Sequence, residues 1–295
     1  MVREERKMLT IRNPVEWSVD QVKHAAEALE EAGRKVRRAQ ADWHSPAPTV
    51  ARLRAADLKR VLAAGVDDFA ASRTDVAVLC LIYPVLGLLL VRLAAGYQML
   101  PLLFPLASGF ALVGPFAALG LYEMSRRREQ GADIRWAAAF GVIRSPSIAA
   151  IVLLGVVLMA IFVLWLAAAE AIYMLTLGPE PPASVGAFTR DVLTTHAGWI
   201  MIAAGIGVGF VFALVVLAIG TVSFPLLLDR GIGLDTAVAT SVRALLANPG
   251  PMALWGLIVA AGLVIGSIPF FLGLAVVMPV LGHATWHLYR RVVPR

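Results

Sequence analysis

The sequence is short of the residues that soluble enzymes depend on. It has one cysteine, Cys80, in 295 residues, which excludes an intramolecular disulfide and a thiolate metal cluster within one chain. Only 16% of residues are charged, against 59% hydrophobic, whereas soluble domains run near about 25% and roughly 45–50%. No nucleotide-binding glycine loop, catalytic triad or zinc-protease motif occurs. A non-enzymatic protein is therefore the leading expectation. The net charge of +6 suggests nucleic acid only until the charges are located, and no nucleic-acid partner is expected. The opening stretch MVREERKMLTIR has no apolar core of signal-peptide length, so insertion is expected to be driven by the first membrane span.

Long apolar runs are abundant instead. A hydrocarbon core needs roughly 20 apolar residues per helix. Runs that meet or approach this cover residues 76–97, 99–124, 148–177 and 198–228. A further run, 252–289, is too long for one span. Ser267-Ile268-Pro269 falls in its middle, and proline disfavours helix at the residue before it. The expectation is a tight helical hairpin with spans 252–267 and 269–289; one long kinked helix plus a half-helix is the alternative. The fold expected is all-α and polytopic, with six spans in a lipid bilayer.

Lysine and arginine set the orientation. All but two of the 26 basic residues fall on one side of this arrangement. The exceptions are Arg92 and Arg190. Both termini are thus expected in the cytoplasm of a bacterial inner-membrane protein, with a nearly neutral outer loop over 178–197.

Three stretches share one layout: Asp57–Thr74, Asp133–Pro146 and Asp235–Pro249. Each opens on an aspartate placed to cap a helix, continues as an alanine-rich amphipathic segment and breaks before a span. In the first, Leu58, Val61, Leu62, Val66 and Phe69 stand at helical spacing. Such helices lie in the interface or beneath the bundle. The chain then reads as three transmembrane hairpins, each preceded by a cytoplasmic interfacial helix, an internal repeat of the kind common in transporters. Gly205, Gly207 and Gly209 on the fourth span, and Gly256, Ala260 and Ala261 on the fifth, predict close helix packing. Pro225 in Thr221-Val-Ser-Phe-Pro225 is placed to unwind the fourth span near its inner end.

Residues 1–50 form a polar arm before a membrane domain over 51–295. Ser18-Val-Asp-Gln21 is a capping-box pattern, and a helix is expected over about residues 19–41. Its apolar face is mostly alanine, which suits docking on another inner-membrane protein or on the membrane domain, or pairing as a short coiled coil. The run Arg34–Arg38 reads as a solvated basic face, with contact to anionic headgroups as the alternative.

Few residues could carry chemistry. His283 and His287 lie four apart on one helix face, a spacing that suits two ligands of one metal ion. Glu123 ends the second span at similar depth, so His283, His287 and Glu123 form a candidate metal site. Interfacial histidines with structural roles are the competing reading. Two axial histidines for haem fit poorly, because these share a face and His24, His44 and His196 lie outside the spans. No cofactor is expected. Glu170 is the one carboxylate inside an expected span, near its outer end. Arg92 ends the first span on the same side, so a Glu170–Arg92 pair is expected, as a structural pair or a functional site.

The segments LGLYEMSRRREQG (Leu119–Gly131), SFPLLLDR (Ser223–Arg230) and PVLGHATWHLYR (Pro279–Arg290), with DLKRVLAAGVDDF, carry a resemblance. They resemble a domain-of-unknown-function family of proteobacterial integral membrane proteins, some labelled cytochrome c oxidase subunit I-like. The resemblance implies a six-span inner-membrane protein of no established activity. The oxidase label asks for more spans and histidines than this chain offers. The repeat layout is also similar to the membrane domain joined to some glycerophosphodiester phosphodiesterases, whose catalytic domain has no counterpart here. Three functions follow in order: a scaffold, assembly factor or accessory subunit of a membrane complex; a transporter or channel for a small solute or lipid; and a metal-binding membrane protein.

Overall fold

A computed structural model describes residues 48–71, 81–96, 99–132 and 136–295. All of them belong to the second of the chain's two units, Ser45–Arg295. The helix expected over 19–41 lies outside the described residues.

The described fold is all-α. Helix α1 (Ala55–Ala71) is followed by α2 (Ile82–Gly96), then by a short 3-10 turn that leads into α3 (Leu103–Ala117) and α4 (Leu119–Glu129). After a 3-10 helix over Trp136–Arg144 come α5 (Ile148–Thr176), α6 (Val185–Thr194), α7 (His196–Gly220) and α8 (Ser223–Asp229). The chain ends in α9 (Leu234–Ala247), α10 (Pro249–Ser267) and α11 (Leu274–Val292).

Among the described residues, four helical stretches are long and apolar enough to cross a membrane: Leu100–Glu129, Ile148–Thr176, His196–Asp229 and Pro249–Ser267. Their side chains face outward. Val156, Val163, Leu164, Ile206, Phe210 and Leu257 are all exposed, an arrangement that water would penalise and hydrocarbon would not. The other two expected spans are not shown. For the run 76–97, α2 supplies 15 residues, and 72–80 with 97–98 lie outside the described residues. For the last, α11 is apolar only in its first half, since His283, His287, Arg290 and Arg291 occupy the second.

The hairpin at the end of the chain is present. Residues 268–273 turn between α10 and α11, with Phe270 and Phe271 at φ 51° and 64°, a left-handed region costly for bulky side chains. Two glycines close it. A Cβ on Gly273 would stand 2.8 Å from the Cα of Gly266, so the two backbones touch. The run 252–289 therefore holds two separate helices joined by a turn.

Four glycines inside the bundle act as seats for aromatic rings. A Cβ on Gly109 of α3 would meet Phe162 of α5 at 2.8 Å, one on Gly155 of α5 would meet Phe116 of α3 at 2.6 Å, and one on Gly87 of α2 would meet Phe271 at 2.4 Å. Trp165 of α5 sits between α3 and α7: its Nε1 donates to Ser108 Oγ at 2.8 Å, its ring lies 5.6 Å from Phe212, and a Cβ on Gly209 would meet it at 3.0 Å. Without a hydrophobic force between helices in lipid, such contacts and interhelical hydrogen bonds carry the association. The glycine faces expected to pack closely do so only in part. A Cβ on Gly205 or Gly207 of α7 would meet nothing within 4 Å.

At one end the bundle carries a polar layer with an ordinary buried core. It is built from α1, α4, α8, α9 and the second half of α11. Trp286, Tyr289, Phe224, Leu226 and Leu58 are all 2% exposed or less. Helix α1 runs antiparallel along α11, with Asp57 beside Arg291 at one end and Asp68 beside His287 at the other. The two helices meet at Gly65, where a Cβ would stand 2.7–2.8 Å from Ala284 and the Val280 carbonyl. The buried stripe is Leu58, Val61, Gly65 and Asp68, so Val66, expected on this face, is exposed at 49%. The fourth span breaks after Gly220 as Pro225 predicts. The break is stitched to α9: Ser241 accepts from the Val222 N–H at 3.2 Å and Ser223 donates to the Ala237 carbonyl at 3.2 Å.

Other local expectations need correction. The aspartates of the first and third amphipathic stretches stand in the first turn rather than at the cap, while Asp133 of the middle stretch lies outside the described residues. Asp57 is the third residue of α1 and reaches back to accept from the Arg54 N–H at 2.8 Å; α9 starts on Gly233 with Asp235 at its second position. The middle stretch is a 3-10 helix over 136–144 rather than an α-helix. The loop over 178–197 holds α6, capped by Ser184, which accepts from the Ala187 N–H at 3.1 Å. Its many small residues and prolines hid this short amphipathic turn.

The Gly65 contact gives the first prediction. A methyl group there meets backbone, which cannot rotate away, so Gly65→Ala should destabilise the fold by about 1–3 kcal/mol. Gly205→Ala, with open space around it, should leave stability unchanged. Thermal unfolding in detergent compares the two.

Candidate functional site

The densest polar cluster lies where α1, α4 and α11 meet. Asp68 is the last member of the buried stripe of α1 and is 5% exposed. Its Oδ2 accepts from Ser125 Oγ of α4 at 2.5 Å and from His287 Nε2 of α11 at 2.8 Å, and its Oδ1 accepts from Arg128 of α4 at 2.5 Å. His283 Nδ1 stands 2.8 Å from Ser125 Oγ and 3.9 Å from Asp68. The other ring nitrogen of His283 is buried. Burial alone would raise the Asp68 carboxyl, but the hydrogen bonds from His287 and Ser125, with the charges around them, outweigh it and hold the group down at about 2.

The cluster couples three helices electrostatically. A carboxylate only accepts hydrogen bonds, so the Ser125 hydroxyl is spent on Asp68.

Of the three candidate metal ligands, His283 and His287 are brought together and Glu123 is not joined to them. Glu123 is 1% exposed and bound by its own helix, with Arg126 at 2.8 and 3.1 Å and Arg127 at 2.7 Å. Successive turns of α4 present those arginines three and four residues on, so they capture the carboxylate first. Asp68 faces the histidines instead. Among the described residues, no group of three His, Cys, Asp or Glu is arranged to hold a metal ion. Glu170 is half-buried on α5 and Arg92 is exposed on α2; these two described residues form no ion pair with each other.

A second cluster ties α4 and α8 to α11. Arg290 donates to Glu129 at 2.9 and 3.1 Å and reaches Asp229 at 3.5 Å. Tyr289 donates to Asp229 at 2.7 Å, and Trp286 Nε1 donates to Glu129 at 3.2 Å. At the far end of α1, Asp57 pairs with Arg60 and with Arg291. Asn248, at the start of α10, holds the chain ahead of α1 by accepting from the Leu53 N–H at 2.6 Å and donating to the Ala51 carbonyl at 3.1 Å.

Sequence reasoning missed Asp68, Ser125 and Glu129. For Asp68 there was a signal: Leu58, Val61, Gly65 and Asp68 are spaced three, four and three apart, which sets a carboxylate on the apolar face of an amphipathic helix. Such a residue needs partners on whatever the helix packs against.

The apolar exterior of the long helices and the polar layer at one end define a multi-pass integral membrane protein. Residues 103–229, from α3 through α8, match a family described as predicted integral membrane protein (DUF2189). Leu119–Gly131 and nearly all of Ser223–Arg230 fall within that match, while Pro279–Arg290 lies beyond it. No curated protein and no solved structure matches the chain.

The depressed Asp68 carboxyl makes a pH prediction. Its ordinary value is 3.8 and its folded value about 2, so ionisation favours the fold. That contribution is full above about pH 4 and is lost as pH falls towards 2. Asp68→Asn should therefore be less stable than the parent by roughly 2 kcal/mol near neutrality, with the gap closing on acidification. Unfolding in detergent across that pH range measures it; a gap independent of pH would contradict the assignment.

Proposed function

We propose that this is a six-span protein of a bacterial inner membrane, with both termini in the cytoplasm, that serves as a non-enzymatic scaffold, assembly factor or accessory subunit. The observation that carries this reading is how the carboxylates of the polar layer are used. Asp57, Asp68, Glu123, Glu129 and Asp229 are each tied to arginine within the chain. The layer is therefore a cross-braced platform, suited to presenting a fixed surface to a partner. The basic residues clustered on this side support a cytoplasmic location. In this reading the two spans beyond the four long apolar helices are the run 76–97, which contains α2, and the run 269–289, which contains most of α11, and the arm over 1–50 makes the cytoplasmic contact.

The scaffold is favoured over solute transport because the cavity between the spans is lined almost wholly by apolar residues, with Glu170 and Arg92 outside it. The arrangement of Glu123 likewise favours a structural role for His283 and His287 over metal binding.

Two measurements test the reading. Reporter fusions at both termini and at residue 183 should place the termini inside and residue 183 outside. Affinity purification in mild detergent should recover a defined membrane-protein partner that is lost when residues 1–44 are removed. A chain that purifies alone, with the arm intact, would overturn it.

A further inference from the structure

A cavity of about 360 Å³ lies between α3, α7, α10 and α11. Its mouth is framed by Phe210 and Leu214 of α7 and Leu257 of α10, all exposed on the outer surface of the bundle. Its interior passes Trp255, which is 1% exposed. The walls are opened by small residues. A Cβ on Gly114 would meet nothing within 4 Å, and one on Gly256 would reach only Leu217 at 3.4 Å. At its inner end it meets the hydroxyl-bearing residues Tyr122, Thr221 and Thr285. Among its lining residues there is no charge.

Protein interiors do not ordinarily leave such spaces, and in lipid an unfilled gap forfeits the van der Waals contact that holds spans together. The size and apolar lining are those of a ligand site. Its mouth opens among side chains that face hydrocarbon, so the molecules that reach it are lipids. We infer that this cavity is a binding site for one acyl chain of a membrane phospholipid, which enters laterally between α7 and α10 and lies against Trp255. The inference rests on the membrane location and is independent of the scaffold role.

The test uses the full chain in bilayers of phospholipid brominated along its acyl chains, which quench tryptophan on contact. The difference between the parent and Trp255→Phe isolates the Trp255 signal. That signal should be quenched several-fold, although Trp255 is shielded from the lipid around the bundle. Gly114→Leu, and separately Gly256→Leu, should fill the space and restore it. Trp199, 57% exposed, should stay quenched throughout and so reports correct insertion. An unquenched Trp255 in the parent, or quenching unchanged in a correctly inserted filled variant, would overturn the inference. Native mass spectrometry gives a readout that needs no variant: one phospholipid should remain per chain as detergent strips the rest. Complete delipidation under those conditions, with the fold retained, would equally overturn it. Retention of a molecule other than a phospholipid would reject the acyl chain as occupant.

Discussion

The carboxylate of Asp68 is the point on which the polar layer turns. It is buried on a helix that is otherwise apolar on that face, and a buried carboxylate is tolerated only where it is paired and hydrogen-bonded. Its partners come from two other helices, Ser125 and Arg128 on α4 and His287 on α11. The requirement to satisfy one charge thus fixes the mutual position of three helices. The Gly65 contact follows from the same constraint. Bringing Asp68 within hydrogen-bond reach of α11 draws the two backbones together, and only a residue without a side chain fits between them.

The same chain solves two packing problems by different means. In the polar layer, burial of Trp286, Tyr289 and Phe224 draws on the hydrophobic effect, as in any soluble core. In the spans no such force acts between helices, and shape has to replace it. The rings of Phe162, Phe116, Trp165 and Phe271 set on glycines of neighbouring helices are that replacement. The Trp165–Ser108 hydrogen bond adds direction to it.

Architecture was legible in the sequence where composition alone decides it. The long apolar runs over 99–124, 148–177 and 198–228 correspond to helices, the turn near Pro269 and the break before Pro225 were marked by residues that cannot continue a helix, and the amphipathic stretches from Asp57 and Asp235 became α1 and α9. The polar cluster was harder to read, because its pairings are tertiary. Glu123 and the two histidines sit at similar depth, yet nothing in their spacing reveals that Arg126 and Arg127 claim the carboxylate one turn later. Nor does the chain order reveal that α1 returns to lie against α11, more than 200 residues away, bringing Asp68 to His287. Helix α6 was obscured by its small residues, which serve a loop and a short helix equally well.

The region that matches a known family, 103–229, contains Ser125, Arg128, Glu129 and Asp229 but none of the residues that complete their clusters. Asp68 comes from α1, and His283, His287, Tyr289 and Arg290 come from α11. A protein with the matched region alone would leave Arg128 of α4 without the Asp68 contact and Asp229 without its Tyr289 donor. The polar layer is therefore a joint construction in which the segments before and after the matched region clasp it at one end. That arrangement accounts for the long-range antiparallel pairing of α1 with α11: each satisfies charges that the central helices present, and neither could do so without the other held at the distance Gly65 permits.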